Sequence, residues 1–220
     1  MYTTIRKFAS SRTSKYLFLK KTFGNRPFKL LDIGAGNHSA SKSKWIFPNC
    51  SYFGVDLNKN YNNDDKDFAA MDGFYQMDLT KLNFQEIPTN FFDAMCMVHV
   101  IEHLYNGDLV IENLLSKLKS GGHIYIEYPG LRSTKLPSMH GSLNFYDDSS
   151  HVRIYSVEEI EQLLTRHHFT IINKGTRRNI YYLLSMPFRI VGHWLKGKKL
   201  KGNIFWDLLG FAEFVEAKKN

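Results

Sequence analysis

Apolar runs that suit β-strands alternate with helical patterns along most of the chain. Near-continuous apolar runs such as 91–100 are typical of strands buried on both faces of a sheet. "TIINKGT" and "GFAEFVEAKK" predict two strands near the end of the chain. Five earlier runs also predict strands: "KLLDIGA", "SYFGVDLN" (51–58), "FYQMDLT" (74–80), "FFDAMCMVHV" (91–100) and "GGHIYIEYP" (121–129).

Two helices are predicted most clearly from apolar spacing. The segment 102–122 has apolar residues at helical spacing and should end at Gly121 and Gly122. Ser156, with Glu159 three residues later, predicts a capping box at the start of the second helix. Strands that alternate with helices predict an α/β fold with an open, mostly parallel sheet. Ligands of such sheets bind beyond the carboxyl ends of the strands.

The composition fits one globular domain, because 43% of the residues are hydrophobic and 23% are charged. Cys50 and Cys96 form no CxxC motif and are expected to be core thiols in a reducing compartment. No apolar run is long enough to span a membrane. We therefore expect a cytoplasmic protein, and leave membrane association open.

The net charge of +8 is concentrated in two segments. Residues 1–31 contain eight Lys or Arg and no acid, and residues 176–205 contain seven and no acid. Such segments bind anionic lipid, nucleic acid or a phosphorylated substrate, or they are the solvated faces of helices. We expect 1–28 to be a basic helical segment, although it also resembles a mitochondrial transit peptide. The aromatic, basic insert 177–209 is expected to be an interfacial helix pair on a membrane, a dimer face or a cap on a pocket.

A glycine turn, Gly34-Ala35-Gly36, follows the first predicted strand. The dinucleotide fingerprint requires a further glycine at position 39, where this chain has a serine. Asp56 ends the second strand, where a carboxylate accepts hydrogen bonds from ribose hydroxyls, and this fits NAD as well. Asp32, however, would repel a diphosphate and attract an ammonium or a sulfonium group. The pair of carboxylates therefore favours S-adenosylmethionine (SAM) over NAD.

Five motifs in order resemble those of class I SAM-dependent methyltransferases, the broad group that includes small-molecule O-methyltransferases. They lie between about Lys29 and Phe169: "LDIGAG", "VDLN", "QMDLT", "FDAMCMVHVIEHL" and "LKSGGHIYIEYP". The resemblance implies a three-layer Rossmann-like domain over 29–220, with a central, mostly parallel seven-stranded sheet whose last strand is antiparallel. It implies these cofactor-binding residues: Asp32, Gly34, Ala35, Gly36, Asp56, Leu57, Asp78 and Val98. Asp78 is also a candidate for a cap or turn residue. His38 departs from the family, which often has a glycine there.

The chemistry is expected near "VHVIEHL". If a helix begins near His99, then His99, Glu102 and His103 share one face. Small-RNA 3′-end methyltransferases and the O-methyltransferases of ubiquinone synthesis resemble this segment; they hold a divalent metal on E-x-x-E-H, and the RNA enzymes add a later histidine. The resemblance implies zinc, manganese or iron on His99, Glu102, His103 and His151, although this chain has His99 in place of the first Glu. The alternative is that Glu102 and His103 order the start of the helix while His151 is the general base.

The segment 130–150 is predicted to be a lid, which shapes the acceptor pocket with Tyr128, His140 and Tyr146. The sequence thus predicts a SAM-dependent methyltransferase that acts on an oxygen of a small-molecule or sugar- or lipid-linked acceptor, with His151, His103 and Glu102 as catalytic candidates. A metal-assisted RNA 2′-O-methyltransferase is an alternative, but the chain lacks a recognisable base-stacking platform, so nucleic acid is the less favoured partner. An NAD-dependent oxidoreductase and a non-catalytic SAM-binding subunit are further alternatives. The oligomeric state and the acceptor are not set by the sequence.

Overall fold

A computed structural model describes residues 11–220, and its centre is one seven-stranded sheet. The strands have the order β3-β2-β1-β4-β5-β7-β6, and β7 runs antiparallel to both of its neighbours while the others are parallel. The predicted Rossmann-like fold class is confirmed by this topology. The strands are β1 (Phe28–Ile33), β2 (Cys50–Asp56), β3 (Gly73–Gln76), β4 (Phe92–Val98), β5 (Leu118–Pro129), β6 (Phe169–Thr176) and β7 (Ala212–Lys219).

Helices cover both faces of the sheet and complete three layers. The buried side chains form two clusters, one of which includes Leu19 and Phe28, and the other Val110 and Ile160. The α-helices are α1 (Ser14–Phe23), α2 (Ser39–Ile46), α3 (Asp65–Ala70), α4 (Gly107–Leu115), α5 (Val157–Arg166), α6 (Ile180–Leu195) and α7 (Trp206–Leu209). Within residues 11–220, none of the helices combines the length and apolar character needed to cross a bilayer. The first ten residues of the expected N-terminal basic segment lie outside the described residues, and the division of the chain at residue 29 stays a prediction.

The prediction that one helix extends to Gly121 and Gly122 is wrong. Helix α4 ends at Leu115, and Leu118 already pairs with Phe92 as part of β5. The two glycines lie inside β5, at an irregularity in its register with β4, and Gly121 has a φ of +75°. Apolar residues of the last helical turn and of the strand follow one another closely, so their combined spacing imitates one longer helix.

The predicted helix cap at Ser156 is confirmed in part. The Ser156 Oγ accepts a hydrogen bond from the Glu159 N–H at 3.1 Å, as a helix cap requires. The Glu159 carboxylate does not bond back to the Ser156 N–H, as a full capping box requires, but pairs with Arg153 instead.

The segment 130–150 is folded onto itself. It contains two short 3₁₀ turns, Leu131–Lys135 and Phe145–Asp147. The Asp147 carboxylate accepts hydrogen bonds from the N–H groups of Met139, Leu143 and Asn144 at 2.8–3.0 Å. Burial alone would raise the pKa of Asp147, but these bonds and one from Ser138 lower it to about 2. The role of the segment 130–150 as a lid stays a prediction.

Candidate active site

A cavity of about 930 Å³ lies beyond the carboxyl ends of β1, β2, β3 and β4. This is where parallel α/β sheets bind their ligands. Nine of the residues predicted from the sequence line it: Asp32, Gly34, Gly36, Asp56, Leu57, Asp78, Val98, His99 and His103. Ala35, Glu102 and His151 are not among the lining residues. Most of the expected cofactor residues therefore converge on one volume, large enough for a nucleoside ligand.

Close packing against Val100 and a left-handed backbone require glycine at position 34. Gly34 has a φ of +79°, and a Cβ there would lie 2.3 Å from the Val100 Cγ2. The N–H groups of Gly34 and Ala35 both donate to the Val55 carbonyl, at 2.8 and 3.1 Å. These two donors are therefore not directed at a diphosphate. The Ala35 side chain is fully buried in the core beneath the turn, which corrects its expected place at the cofactor.

The Asp32 carboxylate is satisfied from within the protein. Its Oδ1 lies 2.6 Å from the Lys15 Nζ, and its Oδ2 accepts bonds from Ser39 at 2.5 Å and Tyr52 at 2.6 Å. Burial alone would lower the pKa of Lys15, but the Asp32 charge raises it above its usual range. The cation that Asp32 attracts in this structure is thus the Lys15 ammonium, which itself lines the cavity.

Asp56 and Asp78 lie at the ends of neighbouring strands. The Asp56 Oδ1 accepts a bond from the Asn58 N–H at 3.0 Å, and burial raises the pKa of this carboxyl group. The Asp78 Oδ1 accepts bonds from the N–H and the hydroxyl of Thr80, and the hydroxyl bond lowers the pKa of Asp78. Asp78 therefore caps a short turn and lines the cavity at the same time.

The expectation that His99, Glu102 and His103 share a helix face is wrong. His99 has a φ of 54°, the turn Ile101–His103 is 3₁₀, and α4 begins only at Gly107. The Nδ1 of His99 lies 3.1 Å from the Glu102 Oε1, and its Nε2 lies 3.3 Å from the Glu127 Oε1. His99 thus forms ion pairs with two buried carboxylates, whereas His103 points toward Ser150.

Glu127 is the centre of a buried ionic network that the sequence analysis missed. Its Oε1 accepts a bond from Arg177 at 2.6 Å, and Arg177 also binds Asp207 at 2.8 and 3.0 Å. Burial alone would raise the pKa of Glu127, but Arg177 and His99 lower it to about 2. Burial alone would lower the pKa of His99, but Glu102 and Glu127 raise it to about 9. The feature of the sequence that could have indicated this network is Glu127 itself, a single acid in the otherwise uncharged run "IYIEYP".

Three of the four predicted metal ligands come together. One ligand atom each from Glu102, His103 and His151 lies within 4.8 Å of the others. The Nδ1 of His103 donates to the Ser150 carbonyl at 3.2 Å, and that of His151 donates to the Phe145 carbonyl at 2.6 Å. These bonds leave each Nε2 as the remaining ring nitrogen, which is the arrangement seen in metal-binding histidines. The Glu102 Oε2 is buried and has no hydrogen-bond partner.

The residues that were expected to shape an acceptor pocket do not line the cavity. Tyr128 is fully buried beside Tyr155, while His140 and Tyr146 are exposed, and none of the three lines the cavity. One part of the cavity wall comes from the insert 177–209, through Arg177, Tyr182 and Trp206. These contacts join segments distant in sequence, so no local motif identifies them.

Comparison with known proteins agrees with this fold. A family model described as "Methyltransferase domain" matches residues 4–174, which is most of the chain. The chain belongs to this methyltransferase family. A comparison with curated protein sequences finds no match.

Solved structures of SAM-dependent methyltransferases share the fold. One from Mesorhizobium loti is 12% identical, with a TM-score of 0.66, and the alignment covers 96% of this chain and all of the other. One from Archaeoglobus fulgidus is 18% identical, with a TM-score of 0.60 and coverage of 97% and 94%. Phosphoethanolamine N-methyltransferase 2 from Haemonchus contortus, bound to phosphomonomethylethanolamine and S-adenosylhomocysteine, is 20% identical, with a TM-score of 0.63 and coverage of 92% and 51%. The family match confirms the predicted class of methyltransferase, and the solved structures share its fold.

The charged state of His99 makes stability dependent on pH. The pKa of His99 is about 9 in the folded chain against 6.5 for a free histidine, so its contribution is complete below pH 6.5 and is lost as the pH rises through 9. We expect the free energy of unfolding to fall by up to about 3 kcal/mol over this range, since each pKa unit is worth about 1.4 kcal/mol. Urea unfolding at several pH values measures the change.

Two variants test whether His99 causes this pH dependence: His99→Gln removes the group, and His167→Gln is the control. His167 pairs with Glu112 on the surface, so its replacement should leave the slope of stability against pH unchanged. His99→Gln should flatten the slope. An unchanged slope in His99→Gln would assign the pH dependence to another group.

Proposed function

We propose that this methyltransferase binds SAM in the 930 Å³ cavity and transfers the methyl group to an oxygen of a small-molecule or sugar- or lipid-linked acceptor. The observation that carries the proposal is the convergence of Asp56, Asp78 and His99, from the ends of three strands, on one cavity next to the glycine turn. The carboxylates suit the nucleoside, and the opposite wall offers histidine and aromatic side chains to an acceptor.

The two ends of the cofactor would meet different chemistry. Asp56 would accept hydrogen bonds from ribose hydroxyls, and the exposed Leu57 side chain beside it would offer an apolar surface to the adenine; both residues line the cavity. Near the glycine turn, the Lys15 ammonium is the cation that would bind the carboxylate of the methionine portion. This role replaces the simpler expectation that Asp32 alone binds the cofactor's ammonium, because Asp32 already has three partners.

Methyl transfer to a hydroxyl is an in-line displacement. The acceptor oxygen forms a bond to the methyl carbon, the carbon–sulfur bond breaks, and the sulfonium becomes a neutral thioether. The hydroxyl proton must pass to a base. Without a metal, His103, which lines the cavity, is a candidate base, and His151 packs 4.9 Å from it, measured between ring centroids. A metal bound to both histidines would exclude them as bases, so the two mechanisms are alternatives. The chain's own contribution is to align the reactants and exclude water.

The proposal includes a divalent metal on Glu102, His103 and His151. The donor set fits, because the buried Glu102 Oε2 has no other partner and both histidines have their Nδ1 fixed by a carbonyl. His99 is not part of this set, since both its nitrogens face carboxylates. A bound metal would supply Lewis acidity that lowers the pKa of an acceptor hydroxyl. The same chemistry would suit a ribose 2′-hydroxyl, so RNA remains the alternative acceptor.

Calorimetric titration with S-adenosylhomocysteine tests the cofactor site, with NAD as the control ligand. We expect saturable binding of the first in about the micromolar range and none of the second. Asp56→Asn should weaken binding about tenfold or more, because hydrogen bonds to a charged group contribute about 1.5–3 kcal/mol. Asp65→Asn, on the exposed surface of α3, is the matched control. Binding of NAD alone would contradict the proposal.

A second titration tests the role of Lys15. We expect Lys15→Met to weaken the binding of S-adenosylhomocysteine about tenfold. The binding of 5′-methylthioadenosine, which lacks the amino-acid portion, should stay within about twofold of its original affinity. The exposed Lys66→Met should change neither. Equal losses for both ligands would show that Lys15 supports the fold of the site and not the methionine carboxylate.

Metal binding is tested without any acceptor. We expect the metal-free chain to bind one Mn²⁺ or Zn²⁺ in a calorimetric titration, and Glu102→Gln or His151→Asn to weaken this about tenfold or more. His140→Asn, which changes an exposed histidine of the segment 130–150, should bind as the original chain does. Equal affinity in all variants would exclude this cluster as the binding site.

A further inference from the structure

We propose that the outward face of α6, together with the lysines that follow it, binds the surface of an anionic lipid membrane. Helix α6 has 16 residues, and none of them is fully buried. Its main packing partners are α7 and the short turn Gly202–Ile204. The helix therefore lies on the surface of the molecule and leaves one whole side uncovered.

The uncovered side of α6 is apolar except for Tyr181 at its edge, which is 36% exposed. Positions 180, 184, 188, 191 and 195 follow a helical repeat and share this side, with 187 and 194 at its margin. The most exposed side chains are Phe188 (79%), Trp194 (77%), Leu195 (72%), Leu184 (67%), Ile180 (55%) and Val191 (52%). An apolar face of this size is unusual on a surface in contact with water and marks an interaction site.

The polar side chains of α6 are on the opposite side. Ser185, Arg189 and His193 are half-buried on the side that faces the protein. The Ser185 hydroxyl donates to the Tyr182 carbonyl and the His193 Nδ1 donates to the Arg189 carbonyl, so both bond within the helix. A surface helix of a soluble protein normally has the reverse arrangement, with its polar side outward. The inversion means that an apolar phase, and not water, is the natural environment of the outer side.

The positive charge of the lysines beside this face indicates that its partner is an anionic lipid surface. The four exposed lysines directly after α6 have no acidic partner among residues 11–220: Lys196, Lys198, Lys199 and Lys201. No acid occurs anywhere in 176–205. Trp194 lies between the apolar face and the lysines, and tryptophan is enriched at the boundary between lipid tails and headgroups. An apolar face, a boundary tryptophan and a basic run match an anionic bilayer surface.

A protein partner fits these features less well. Protein interfaces surround their apolar centre with polar groups that exchange hydrogen bonds, whereas the outer side of α6 has only the Tyr181 hydroxyl at its edge, which already accepts a bond from Arg12. A second copy of this chain would add a second lysine run and no acid from this segment to balance either run. The charge complementarity therefore favours lipid over either protein occupant.

Co-sedimentation with vesicles tests the proposal without reference to catalysis. We expect the intact chain to bind vesicles of phosphatidylcholine mixed with phosphatidylglycerol at least about tenfold more strongly than phosphatidylcholine alone, because each lysine near an anionic surface adds attraction. The double variant Leu184→Ser with Phe188→Ser should lower binding to the mixed vesicles about tenfold or more, since it removes apolar contact area. Both side chains are exposed, so the thermal unfolding midpoint should be unchanged.

Two further variants separate the contributions. Lys198→Glu with Lys199→Glu should abolish the preference for anionic vesicles. Val152→Ser, which changes an exposed apolar residue elsewhere, should bind as the intact chain does. Failure of the intact chain to bind mixed vesicles, or equal binding by the Leu184/Phe188 variant, would overturn the proposal. A dimer in light scattering that the Leu184/Phe188 variant abolishes, without vesicle binding, would instead assign the face to a second copy.

Discussion

One buried carboxylate, Glu127, connects the parts of the molecule that form the active site. It receives Arg177 from the segment after β6, His99 from the exit of β4, and Tyr125 from its own strand. A buried charge is costly unless it is paired, and removal of one partner leaves the others uncompensated. The position of the insert relative to the strand ends is therefore fixed by electrostatics as well as by apolar packing. One wall of the cavity depends on this constraint, since Arg177 and Trp206 belong to the insert.

Asp32 shows a related principle at the other end of the cavity. From the sequence, Asp32 was expected to attract the ammonium or sulfonium group of a bound ligand, whereas in the structure the neighbouring cation belongs to the protein. The cation is supplied by Lys15, from a helix that precedes the sheet. A site prepared in this way already contains a balanced charge pair, and a zwitterionic amino-acid group can bind to it without leaving a charge unpaired.

Local patterns predicted the strands, the class of fold and nine of the residues that line the cavity, because parallel strand ends meet at one edge of the sheet. Asp56 and Asp78 needed no tertiary information, since each follows an apolar run. Lys15, Tyr182 and Trp206 could not be found in this way, because their positions depend on how distant segments dock. The same reason explains the error at His99: a left-handed backbone at that residue turns its side chain away from His103 toward Glu127. The placement of Tyr128 also failed, because alternation along β5 turns it into the core.

The strand order has a consequence for how the chain folds as it is synthesised. Strand β7 is the last of the seven along the chain, yet it lies inside the sheet, between β5 and β6. Until β7 leaves the ribosome, β5 presents an unpaired edge and β6 has no neighbour to join. Unpaired edges of this kind are sites of aggregation in partly made chains. A nascent chain of this protein thus has a vulnerable interval that only its final strand can close, and chaperone binding during translation would have its greatest effect there.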